Sequence, residues 1–225
     1  MPARRPHVLL LDASLAGPAG NTAVLLARAR RLLARRATVE LLSLATLPAP
    51  SPPVSTSAAA SASTGSVFQP STFNSQLLPA LRRADAFLLG TGTHWDSWSS
   101  VLQRFLEAAT PHEGTAIWLG KPAAVVVTEH STGGKGVLSR LQGVLVTLGC
   151  TLPPMSGLVL SRAALLAAEK DPAAARDFWC EADLRIACHN LAEAARTSLP
   201  GARPPLPRWR TWPVDRRDFN ARWLA

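Results

Sequence analysis

The feature that most constrains this chain is a repeating order of segments: a short apolar run, a loop of small residues, a helical pattern, then another apolar run. HVLLLD (7–12) is a continuous apolar stretch of the kind that forms a strand covered on both faces. SLAGPAGN follows, and TAVLLARARRLLARR then places Leu25, Ala29, Leu32 and Leu33 at helical spacing. TVELLSL (38–44) reads as a second strand. Strand, glycine-bearing loop, helix and strand are how an open parallel sheet begins. DAFLLG (85–90), PAAVVVT (122–128) and SGLVLS (156–161) read as three more strands. QLLPALRRA, SSVLQRFLEAA and GVLSRLQGVLVTLG carry helical patterns between them. Asp171 and Pro172 read as the cap and first turn of a last helix that reaches about Thr197. Five strands alternating with helices predict an α/β fold with a doubly wound parallel sheet. Right-handed crossovers leave few topologies, and ligands in such sheets bind beyond the C-terminal strand ends.

Residues 1–198 form one predicted domain, interrupted at 46–75 by a Pro-, Ser- and Ala-rich surface insertion that Phe68 and Phe73 would pin at its far end. Residues 199–225 form an Arg-, Trp- and Pro-rich C-terminal extension. The N-terminus, MPARRPHVLLLD, mimics the head of a signal peptide, but Asp12 ends its apolar core after four residues, so it reads as a strand. No apolar run is long enough to cross a bilayer. Cys150, Cys180 and Cys188 show no paired spacing and read as buried reduced thiols, Cys180 and Cys188 sharing a helix face with Leu184 and Leu191. The expected compartment is the cytoplasm.

Net charge is +9, and only Lys121, Lys135 and Lys170 among the basic residues are lysines. The arginines are scattered except in the tail, where Arg203, Arg208, Arg210, Arg216, Arg217 and Arg222 stand among Trp209, Trp212, Phe219 and Trp223. Arginine with aromatics also suits single-stranded nucleic acid. A strap packed on the domain or on a second subunit is the favoured reading, and attraction of small phosphate-bearing molecules uses the same charge.

Three loops hold the unusual residues. Ser14 to Thr22 opens a helix, where free N–H groups and the helix dipole attract anions, and Ser14, Asn21 and Thr22 add side-chain donors. The same residues also make an ordinary strand–helix turn capped by Asn21, and the loop alone does not choose. It carries neither G-x-G-x-x-G nor a P-loop. The second loop, TGTHWDS, offers backbone access at Gly92 and flat or polar surface at His94, Trp95 and Trp98. In the third, Thr128, Glu129, His130 and Ser131 precede Gly133 and Gly134, which permit close backbone approach. There is no G-x-S-x-G elbow and no metal-ligand spacing among the histidines and cysteines. An anion site, an aromatic ledge and a polar glycine turn at one sheet edge suit flavin mononucleotide.

These segments resemble the flavodoxin-like NAD(P)H-dependent FMN reductases, a family that includes quinone and chromate reductases. The likeness rests on Gly20-Asn21-Thr22 at the start of helix one, on Leu44 to Pro48, and on Ala84-Asp85. It continues through Thr91-Gly92-Thr93-His94-Trp95-Asp96-Ser97, Leu102 to Glu107, Gly120-Lys121-Pro122-Ala123-Ala124 and Gly133-Gly134, over about residues 7–160. Where the family carries arginine, proline, tyrosine and lysine, this chain has Ala16, Gly92, His94 and Gln103.

The resemblance implies a five-stranded sheet of order 2-1-3-4-5 and a ping-pong reductase passing hydride from NADPH or NADH through FMN to a small-molecule acceptor such as a quinone, free flavin or metal oxyanion. It implies a homodimer or homotetramer. FMN would lie on Ser14, Gly20, Asn21 and Thr22 at its phosphate. Its ring would lie between Thr91, Gly92, Thr93, His94, Trp95, Asp96 and Thr128, Glu129, His130, Ser131, Gly133, Gly134, with backbone N–H groups of 93–96 and 130–134 on its polar edge. The alternative is a flavodoxin-like electron carrier, or a scaffold that has lost flavin. A carrier should be acidic, and this chain is basic.

Overall fold

Along each central strand, successive side chains enter two different cores. The computed structural model describes residues 4–47, 75–171, 178–199 and 206–212. The strands are β1 (His7–Asp12), β2 (Thr38–Ser43), β3 (Ala86–Gly92), β4 (Ala123–Glu129) and β5 (Gly157–Ser161). All pair in parallel, in the order β2-β1-β3-β4-β5. Val8, Leu10, Leu88 and Val126 pack with Leu26 of α1 (Asn21–Leu33) and Leu184 and Leu191 of α6 (Glu181–Thr197). Leu9, Leu11, Phe87 and Val125 face the other way. They pack with Leu81 of α2 (Leu77–Arg83), Leu102 of α3 (Ser100–Ala109) and Leu141 of α4 (Gly134–Leu148). The period-2 alternation of a strand between two helical layers explains why the runs are apolar throughout. Each fully buried leucine is worth roughly 1.5–3 kcal/mol.

Trp118 is fully buried in the second core, with ring centroids 4.9 Å from Phe87 and 6.1 Å from Phe105. Lys121 donates to the carbonyls of Leu81 and Arg82 and so caps the end of α2. The order reverses at β1, whose neighbours are β2 and β3, and the C-terminal strand ends on the β3 side form the ligand edge.

Two expectations need correction. The segment after β5 is not one helix begun at Asp171. A helix α5 (Arg162–Lys170) follows β5 directly, capped by the Ser161 side chain, and Asp171 closes it. The final helix starts at Glu181, where Cys180 and Asp183 form a reciprocal capping box and the Cys180 N–H donates to Asp183 at 2.8 Å. Cys180 is therefore exposed at a helix start and does not share the core with Cys188. Cys150 and Cys188 are buried, and burial pushes both thiols up to about 12.

Most of the 46–75 insertion, including Phe68 and Phe73, lies outside the described residues, as do 172–177, 200–205 and 213–225. The described part of the tail, 206–212, lies along α6. Asn190 is fully buried; its amide donates to the carbonyls of Pro154 (2.8 Å) and Arg210 (2.9 Å) and its oxygen accepts the Arg210 N–H (2.8 Å). Trp212 meets Trp179 edge to face at 6.0 Å. These residues strap the domain. No helix among the described residues is long and apolar enough to cross a membrane.

Candidate functional site

The loops after β1, β3 and β4 line one groove of about 410 Å³. Such a volume lies within the usual range of ligand pockets, about 300–1,000 Å³.

The first loop is anchored from beneath. Asp12, buried at the end of β1, accepts the Ser14 N–H at 2.9 Å, and burial raises its carboxyl above the usual range despite that bond. One turn of 3-10 helix, Gly17–Ala19, leads to an extended Gly20 at the N-cap of α1. No side chain caps this helix. Asn21, read from sequence as a possible cap, is instead the first helical residue; it is exposed and lines the groove. The first-turn N–H groups consequently have no intrahelical acceptor and present the positive end of the dipole. Ser14, Gly20 and Thr22 line the groove with Asn21.

In the second loop β3 runs two residues further than the sequence indicated, to Gly92. His94 and Ser97 then exchange backbone bonds of 2.8 and 2.9 Å around Trp95 and Asp96, whose φ angles are 49° and 56°. Two left-handed residues in succession make a type I′ turn, which ordinarily takes Asn and Gly. Arg140 donates to the Asp96 carbonyl and lies 5.8 Å from the Trp98 ring.

Gly92, Thr93 and His94 line the groove. Trp95 is fully exposed and, like Asp96, does not line it. The expected aromatic ledge thus reduces to the His94 imidazole, and Trp98 packs partly against the core. Thr91 is fully buried: its hydroxyl accepts the Ser99 N–H (3.1 Å), while Ser99 donates to the Ala13 carbonyl (2.7 Å). Thr91 therefore ties the first loop to the second and does not line the groove.

Thr128, Glu129 and His130 bring the third loop into the groove, whereas Ser131, Gly133 and Gly134 do not line it. Gly133 caps α4 at φ 91°, a left-handed position, and any Cβ there would strike the Asp96 carboxylate. The Gly134 N–H donates to the Glu129 carboxylate at 2.5 Å. Gly133 therefore lets loops two and three pack against each other, while Gly134 ties the third loop to itself. Among the expected backbone donors, Thr93, His94 and Gly134 are already engaged, by the Thr128 carbonyl, the Ser97 carbonyl and Glu129.

One lining residue had no sequence motif: Arg162, the first residue of α5. It follows the strand at the same edge as the three loops, and the rule that ligands gather beyond C-terminal strand ends applies to β5 as well.

The groove suits a phosphorylated flavin. It combines an uncapped helix start, hydroxyl and amide donors, a ring-bearing wall, and the Thr93 hydroxyl oxygen, which is buried with no partner among the described residues. A parallel sheet in this order, with such a groove at its edge, defines a flavodoxin-like protein. The chain belongs to the NADPH-dependent FMN reductase family, whose model matches residues 6–164.

No curated protein matches it. Among solved structures it is similar to RosB with bound intermediate 8-demethyl-8-formylriboflavin-5'-phosphate, at TM-score 0.66 and 16% identity, covering 85% of this chain and 79% of that one. It is also similar to the NADH:FMN oxidoreductase EMOB in its apo form (TM-score 0.58, 18% identity, 88% and 92% covered). A third is a WrbA-like flavodoxin from Agrobacterium tumefaciens (TM-score 0.56, 14% identity, 87% and 98% covered). At these identities the likeness is one of fold.

Proposed function

We propose that this chain binds FMN in the groove and is an NAD(P)H-dependent oxidoreductase acting on a small-molecule acceptor such as a quinone, free flavin or metal oxyanion. The observation that carries the reading is the convergence of an uncapped helix start and two polar loops on one groove. Bound FMN would supply the redox chemistry, exchanging electrons with the nicotinamide and then with the acceptor.

The protein's part is binding and orientation. Ser14, Asn21 and the first-turn N–H groups of α1 would receive the phosphate. Thr22 and Thr128 share a hydroxyl–hydroxyl bond of 2.7 Å, which uses one of their two protons and leaves the other for the ligand. The Thr93 hydroxyl would gain its missing partner. The His94 imidazole lies close above Gly92, where a Cβ would come within 3.3 Å of Nε2, and would meet the ring. Glu129 is engaged by the Gly134 N–H and shapes the loop. A cytoplasmic homodimer or homotetramer belongs to the same reading, and light scattering measures its assembly.

The test is anaerobic reduction. Protein loaded with FMN should bleach on addition of NADPH or NADH and recolour with a quinone. Colour without bleaching would point to an electron carrier, and no colour to a scaffold.

A further inference from the structure

The three loops leave one charge at the groove unexplained. Ser161 pairs in register with Glu129, and the Ala163 N–H donates to the His130 carbonyl at 2.9 Å. The first turn of α5 is thereby stitched to the third loop on both sides of Arg162. The Arg162 side chain lines the groove, is exposed, and has no hydrogen bond or ion pair among the described residues. Its neighbour across the adjoining groove of about 480 Å³, Arg28, is by contrast held by Glu181 at 2.6 Å. Asn21, Thr128, Glu129 and Arg162 line both grooves, so the arginine stands on the border the two share, along with the first residue of α1 and the end of β4.

Residues 13–22 contain no lysine or arginine. Among the described residues, the first groove is lined by one arginine, Arg162, no lysine, and one acidic residue, Glu129. The helix start contributes about half a positive charge, and Ser14 and Asn21 contribute neutral donors. A phosphate monoester carries nearly two negative charges at neutral pH, so these groups leave it under-compensated.

We propose that Arg162 is the counter-charge of the flavin phosphate, reaching the helix start from β5, and that it makes the pocket select a 5'-phosphorylated flavin over the unphosphorylated one. The inference rests on the FMN reading above. A guanidinium suits the task because its fork of donors fits phosphate oxygens in pairs. Its lack of a protein partner leaves those donors available.

The experiment is titration of wild type, Arg162→Gln and Arg162→Lys with FMN and with riboflavin, read by flavin fluorescence at low and high salt. Arg162 is exposed, and circular dichroism checks that the variants fold. Wild type should prefer FMN. Arg162→Gln should weaken FMN by roughly 10- to 100-fold, leave riboflavin unchanged and flatten the salt dependence; Arg162→Lys should recover part of the loss. If Arg162→Gln keeps the wild-type preference for FMN, or loses both flavins equally, the counter-charge role is overturned while FMN binding stands. If wild type binds neither flavin, the FMN reading falls and takes this inference with it.

Discussion

The hydroxyl of Thr22 at the start of α1 lies 2.7 Å from the hydroxyl of Thr128 at the end of β4, so the first and third loops touch across the intervening strand β3. They can do so because β3 carries glycine beneath them. A Cβ on Gly90 would come within 2.7 Å of Leu26 Cδ1 and 2.9 Å of Thr22 Cγ2. Gly90→Ala should push α1 off the sheet, lower stability by about 1–3 kcal/mol and weaken FMN binding. Urea unfolding and flavin titration check the two effects together.

Asp12 gives a pH dependence. Burial raises its folded-state pKa above the ordinary value of 3.8, so the folded state binds more protons than the unfolded state above that pH. Its contribution is fully present below 3.8 and is lost as pH rises through the folded pKa. Asp12→Asn keeps an acceptor for the Ser14 N–H and removes the buried charge. The variant should be more stable than wild type at neutral pH, with a flatter stability profile above 3.8, measured by thermal unfolding across pH.

The strand cores were readable because burial on both faces demands continuous apolar runs, and Val8 to Leu11 and Val125 to Val127 supply them. Loop one was readable through Ser14, Gly20, Asn21 and Thr22, since a helix start after a parallel strand has few uses. Less legible was the C-terminal third. Helical composition on both sides of Asp171-Pro172 hid the break between α5 and α6, and a cysteine at the cap gave no familiar start signal. Trp95 misled because an aromatic beside glycines suits a ring platform, whereas the tight turn from His94 to Ser97 turns it to solvent. Arg162 was missed because its role depends on where β5 ends beside β4.

That turn stores strain. Trp95 and Asp96 both adopt left-handed angles that cost non-glycine residues roughly 1–2 kcal/mol each. Replacing them together, Trp95→Asn with Asp96→Gly, should raise stability by about 1 kcal/mol or more. Because Trp95 and Asp96 do not line the groove, FMN affinity should hold. Urea unfolding beside an FMN titration measures both.

Asn21 lines the groove at the first turn of α1. Asn21→Asp would set a carboxylate against the phosphate, and two like charges about 4 Å apart repel by about 1 kcal/mol even in water. FMN affinity should fall about fivefold or more, with riboflavin unaffected. Equal affinity in the variant would remove the first loop from the site.

The most direct measurement is a calorimetric titration of the purified protein with FMN. Saturable binding of one FMN per chain, with the flavin's fluorescence quenched on mixing, is the expected result. Heat no greater than dilution, with the added flavin remaining fully fluorescent, would contradict a groove built by the loops of β1, β3 and β4 to hold it.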